Sequence, residues 1–134
     1  MRHAIPFGLL ALLVLSACSH VGDEEAGAVP DEILLTNALG ETLYFTALEA
    51  ELSSLVDPLP AFHPDSTDAF PAVAPGATVP VREIDAYEPG DDVRFFLYAE
   101  RSGGDDGAAV FAGVLTVTNE ELRRSGGRVV VDEL

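Results

Sequence analysis

The chain has no lysine and no tryptophan, one cysteine (Cys18) and one methionine (Met1). Its seven basic residues are all Arg and stand against 23 Asp plus Glu, giving a formal charge of −16 and a pI near 4.2. So few cations exclude nucleic acid as a partner, because phosphate backbones reward clustered Lys or Arg. Adhesion to an anionic lipid surface through basic residues is disfavoured for the same reason. One cysteine excludes an internal disulfide framework. A long hydrophobic run is also missing: the apolar stretch at 4–14, broken by Pro6 and Gly8, is shorter than the roughly 18–20 residues that span a bilayer. What is present is a folding composition. Aliphatic and aromatic residues make up 48% of 134 residues, well above a disordered chain and enough for one ordinary domain.

The N-terminus gives an address. Arg2 and His3 precede the apolar run, and Leu15-Ser16-Ala17-Cys18 closes it with small residues. A positive start, a short apolar centre and a small-residue end form the layout of a secretory signal. Leu15-Ser16-Ala17-Cys18 resembles the lipobox of bacterial lipoproteins. The resemblance implies cleavage before Cys18, a thioether-linked diacylglycerol on its sulfur and usually a third acyl chain, such as palmitate, on the new amino group. Two or more acyl chains anchor a protein stably. Ser19, in place of the Asp of an inner-membrane retention signal, favours the outer membrane. Removal of Arg2 leaves six Arg against 23 acids, a net −17 on the exported part. The mature chain is then expected to carry no free thiol, which removes cysteine catalysis.

Residues 1–17 are thus read as signal peptide, 18–30 as a flexible acidic tether and 31–134 as the folded domain. The tether carries Asp23, Glu24 and Glu25 among Gly, Ala and Pro, with no apolar period. From residue 31 onward, short β-branched and aromatic runs alternate with Gly, Pro, Asn and Asp. Strands are predicted at 32–37 and 42–47, joined as a hairpin through the turn chemistry of Asn37 to Glu41. Leu48, Leu52 and Leu55 recur at helical spacing, predicting a short helix at 48–56, with a continuing strand as the alternative. Five prolines, at 58, 60, 64, 71 and 75, deny regular structure to 57–76. A strand at 77–83 places Val79 and Val81 on one face, and Pro80 assigns it to a sheet edge or a bulge.

The clearest strand is 92–100: Val93, Phe95, Leu97 and Ala99 alternate with Arg94, Phe96, Tyr98 and Glu100. A Gly- and Asp-rich turn at 101–107 leads into 108–118, apolar on both faces and therefore expected to be covered on both sides. Thr118 and Glu121 form a capping box for a short helix stopped by Gly126, with acids at its start and Arg123 and Arg124 at its end. A last strand at 128–132 turns Val129 and Val131 inward. Six strands with at most two short helices predict an all-β fold, a small antiparallel β-sandwich of immunoglobulin-like or related topology; a small β-barrel is the alternative.

Little in the domain carries chemistry. His20 and His63 are the histidines left after processing, and neither has a second His or Cys nearby, so a nitrogen–sulfur zinc site is excluded. His63, Asp65 and Asp68, with Ser66 and Thr67, gather polar groups in the proline-rich loop, and we take them as candidates for a binding loop. A turn in which these side chains cap their own backbone is the plainer reading. No Gly-x-Ser-x-Gly elbow occurs, and no catalytic residue, metal ligand or cofactor is assigned. Asp91-Asp92 and Asp105-Asp106 flank the clearest strand and could offer oxygens to Ca²⁺, yet they match no EF-hand loop. Phe96 and Tyr98, on the more polar face, are expected either under the other sheet or the long loop, or exposed as a binding patch.

Ile33-Leu34-Leu35-Thr36-Asn37, Leu43-Tyr44-Phe45, Ala74-Pro75-Gly76 and Ile84-Asp85-Ala86-Tyr87-Glu88-Pro89-Gly90 together resemble a group of small bacterial lipoproteins of uncharacterised function. The resemblance covers most of the mature domain but lies in turns and core positions, so it transfers no active site. Members often carry a cysteine pair in the region of 57–76. This chain has none there, and packing alone must hold the loop. The expectation is a non-enzymatic, lipid-anchored envelope protein whose partners are the membrane and another envelope protein or glycan. The alternatives are an envelope hydrolase using loop carboxylates and a Ca²⁺-dependent module.

Overall fold

A computed structural model describes residues 27–67, 69–100 and 107–134. Its elements are β1 (Leu34–Asn37), β2 (Leu43–Glu49), α1 (Ala50–Ser53), β3 (Ala61–Phe62), β4 (Ala72–Val73), β5 (Thr78–Pro80), β6 (Val93–Glu100), β7 (Ala109–Val117), α2 (Asn119–Ser125) and β8 (Arg128–Val131). Two sheets stack on each other, one of three strands in the order β5-β1-β8 and one of five in the order β3-β7-β6-β2-β4. This is the expected small β-sandwich, and the sheets do not close into a barrel.

Alternation along β6 organises the interior. Val93, Phe95 and Leu97 face the space between the sheets, where they meet Leu43 and Phe45 of β2, Leu35 of β1 and Val129 and Val131 of β8. All are buried, and burying each such side chain contributes roughly 1.5–3 kcal/mol. The opposite face of β6 puts Phe96 and Tyr98 into a second apolar cluster outside the sandwich proper. β1 pairs parallel with β8 and antiparallel with β5, whose Pro80 stands on the sheet edge where a missing N–H is tolerated.

The expected β1–β2 hairpin does not form: the two strands lie in different sheets. Both strands bring apolar side chains to one core, and an arch across the sandwich buries Leu35 against Leu43 and Phe45 where a hairpin would leave one face wet. Asn37 holds the arch. Its fully buried side chain donates to the carbonyls of Glu41 and Val73, 2.8 Å each, and accepts from the Leu39 N–H at 2.9 Å.

Three further expectations are corrected. The helix expected at 48–56 shrinks to α1, because Leu48 continues β2 into the outer cluster and the Glu49 carboxylate caps the N–H groups of Glu51 and Leu52. Leu52 and Leu55 stay exposed. Residues 57–76 hold two short strands, β3 and β4, despite their prolines. β7 is not covered on both sides: Val114, paired with Phe96 on the outer face, is 49% exposed.

The C-terminal part follows expectation. Thr118 and Glu121 make the capping box of α2, and Gly126 ends it in the left-handed region at φ 64°. Gly127 is required by contact: a Cβ there would lie 2.2 Å from the Glu32 carbonyl oxygen. Arg123 Nε also donates to the Gly27 carbonyl at 2.5 Å. Residues 27–32 therefore dock at the α2 end of the sandwich.

Candidate functional site

β3 pairs with β7 at one edge of the five-stranded sheet and β4 pairs with β2 at the other. The chain between them, 63–71, must cross the outer face over β7, β6 and β2. Four strand spacings amount to roughly 19 Å, and ten residue steps reach about 35 Å when extended, so the segment crosses with slack for turns. The Ser66 N–H donates to the His63 carbonyl at 2.9 Å, and the Ala69 N–H to the Ser66 carbonyl at 3.2 Å. We call this crossing segment the strap.

Two phenylalanines pin it. Phe62 packs edge-on against Tyr44 and Tyr98 at centroid distances of 5.5 and 5.2 Å, and Phe70 lies 4.9 Å from Phe62 and 5.2 Å from Tyr98. Phe111 reaches Tyr98 from the other side at 5.7 Å. Such contacts contribute about 0.5–1.5 kcal/mol each beyond area burial. Phe96 and Tyr98 are accordingly buried under the loop, with exposures of 4% and 1%, and form no open patch. Burial raises the Tyr98 hydroxyl above its ordinary value, opposed by the Leu59 backbone against it.

At the strap margin the Tyr44 hydroxyl donates to Glu100 Oε1 at 2.5 Å. Burial, then the hydrogen bond and charge of Glu100, and lastly the charge of Asp65, push that hydroxyl up to about 12. The Tyr44 hydroxyl is therefore protonated near neutral pH and stands as the donor to Glu100. Asp65 thus acts on Tyr44 through its field, while His63 and Asp65 are both exposed on the strap. Asp68 and Cys18 lie outside the described residues.

Beside the strap, a groove of about 700 Å³ runs between β2 and β5, lined by Phe45, Phe70 and Val79 with Thr46, Arg82 and Glu83 as polar groups. Its size suits a ligand or a short segment of a partner. The acids at the other end are engaged: Asp91 Oδ2 accepts from the Glu88 N–H at 2.8 Å, and Asp92 Oδ1 from the Asn119 N–H at 2.7 Å. Asp105 and Asp106 lie outside the described residues. Among the described residues no group of three or more His, Cys, Asp or Glu is placed to hold a metal ion, and no helix is long and apolar enough to cross a membrane.

Sequence reasoning missed the Tyr44–Glu100 pair and the groove residue Arg82. Glu100 shares a face with Tyr98 by alternation, which is the signal that could have placed it; the groove depends on strap placement, which no local pattern encodes. Comparison with protein-family models, with curated proteins and with solved structures gives no match.

Proposed function

We propose that the chain is a lipid-anchored, non-enzymatic protein of the bacterial cell envelope, with outer-membrane placement favoured, that binds an envelope protein or glycan through the strap and its groove. The observation that carries this reading is the strap itself: two aromatic anchors and two edge strands hold a segment whose exposed tip bears His63, Asp65, Ser66 and Thr67. Loops presented by a rigid scaffold are where binding residues concentrate. The lipobox supports the address. Between Cys18 and the docked Gly27, nine residue steps reach at most about 30 Å, which keeps the sandwich close to its bilayer. The −17 charge of the mature chain discourages nonspecific contact with anionic lipid.

A photo-crosslinking residue at Asp65, compared with one at Thr36 on the three-stranded sheet, tests the binding reading in intact cells. The reading predicts a discrete adduct from Asp65 and none from Thr36. Absence of an Asp65 adduct across growth conditions contradicts it.

A further inference from the structure

Among the described residues, β8 pairs with β1 alone in the three-stranded sheet and leaves its other edge without a strand. The Leu34 N–H donates to the Gly127 carbonyl and the Ala38 N–H to the Val131 carbonyl, 2.8 Å each, so the odd-numbered residues of this strand turn their backbone groups toward β1. By alternation, Arg128, Val130 and Asp132 turn theirs to the free edge. Their side chains are exposed, whereas Val129 and Val131 face the core. Among the described residues no strand or proline lies on this edge, in contrast to Pro80 at the other. Beside it lies a groove of about 390 Å³ lined by Leu97, Val114, Leu115, Val131 and Leu134. Val130 and Leu134, each about half exposed, are large apolar residues beside it.

We propose that β8 pairs antiparallel with β8 of a second copy of this chain, about a two-fold axis through Val130, joining two three-stranded sheets into one of six. Several registers satisfy the free backbone groups, but one also matches the charges. With Val130 opposite Val130, Arg128 of each copy stands opposite Asp132 of the other, on the same face. Each of these pairs exchanges two backbone hydrogen bonds. Opposite charges directly across a strand pair contribute roughly 0.2–1 kcal/mol, and a two-fold contact uses each such pair twice. A shift of two residues in the sum of paired positions sets Arg128 or Asp132 against Val130 and loses both ion pairs. Arg128 makes no ion pair within its own chain among the described residues. The added strand also extends the roof over β7 and its groove.

The test is a set of variants that each add one cysteine to the full chain, oxidised in its own membranes and resolved without reductant beside the unsubstituted chain, whose Cys18 must give no doubled band. Opposed residues in such a pair have Cα atoms about 5.5 Å apart, inside the disulfide range. Val130→Cys is expected to double in apparent mass. Arg128→Cys alone sits roughly 14 Å from its own copy and is expected to stay single, while Arg128→Cys mixed with Asp132→Cys is expected to link. Arg128→Asp in the Val130→Cys background is expected to abolish the doubled band, and adding Asp132→Arg to restore it. No link at Val130, equal linking by Arg128→Cys alone, or capture of a different protein at this edge would each overturn the proposal. The proposal does not depend on the strap or its ligand, so its failure leaves the function proposed above standing.

Discussion

Asn37 carries more structure than any other polar side chain described. It is fully buried and satisfies the Glu41 and Val73 carbonyls and the Leu39 N–H at once, so it ties the arch to β4. Removing it takes this partner from the buried Val73 carbonyl and from the part-buried Glu41 carbonyl and Leu39 N–H. Asn37→Ala is expected to lower stability by about 2–4 kcal/mol, read from the denaturant midpoint. Tyr44 makes a different prediction, about pH. Its folded value of about 12 lies above the ordinary 10, so at pH between these the unfolded chain loses a proton that the folded chain keeps. Stability from this group is full below pH 10 and falls as pH rises toward 12. Tyr44→Phe removes that dependence. Alkaline denaturation curves of the two proteins should diverge across that window, and parallel curves would contradict the assignment.

At the scale of elements, the strap and α2 behave differently. Phe62 is the hub of the outer cluster, touching Tyr44, Phe70 and Tyr98. Phe62→Ala is expected to cost about 3–5 kcal/mol and to open the strap to protease between 63 and 69. Phe70→Ala, at a half-buried position, should cost less with the same cleavage site. α2 depends on its cap: the Thr118 N–H and hydroxyl both donate to Glu121 and lower its carboxyl below the ordinary value. That stabilisation is present above about pH 4.5 and is lost as pH falls through the lowered value. Thr118→Ala should cost about 1 kcal/mol at neutral pH and flatten the acid limb, as measured by melting against pH.

These elements also show where the sequence was legible. β6 and β8 were readable because period-two alternation is a local signal, and α2 because its cap, charges and terminal Gly126 lie within nine residues. The arch was not, since Asn37 to Glu41 offers the same turn residues whether the next strand stays in the sheet or crosses the core. The choice is made by Val73 and Val131, far away in sequence. The strap was hidden for a related reason. Prolines marked 57–76 as irregular, but two-residue strands have no pattern to read, and only the pairing of Phe62 with Ala109 and of Ala72 with Tyr44 reveals the crossing. Of the candidate loop, His63 and Asp65 were found from sequence; their neighbours Tyr44 and Glu100 come from other strands.

For the whole molecule, the acid excess sets the terms. Self-repulsion among 23 acids destabilises the compact state, and salt screens it over roughly 3 Å at 1 M. The melting temperature is expected to rise from low salt to about 1 M NaCl, which would fit saline surroundings. An unchanged or falling value would remove that inference. Under the proposed anchoring, the same charge would discourage contact between the sandwich and anionic lipid. The proposed anchoring rests on Cys18. Intact-mass measurement of the protein isolated from its membrane tests that most directly: the account predicts loss of residues 1–17 and a diacylglycerol on Cys18, both abolished by Cys18→Ala. A chain that retains its first residues, or is cut elsewhere and carries no lipid, would contradict it.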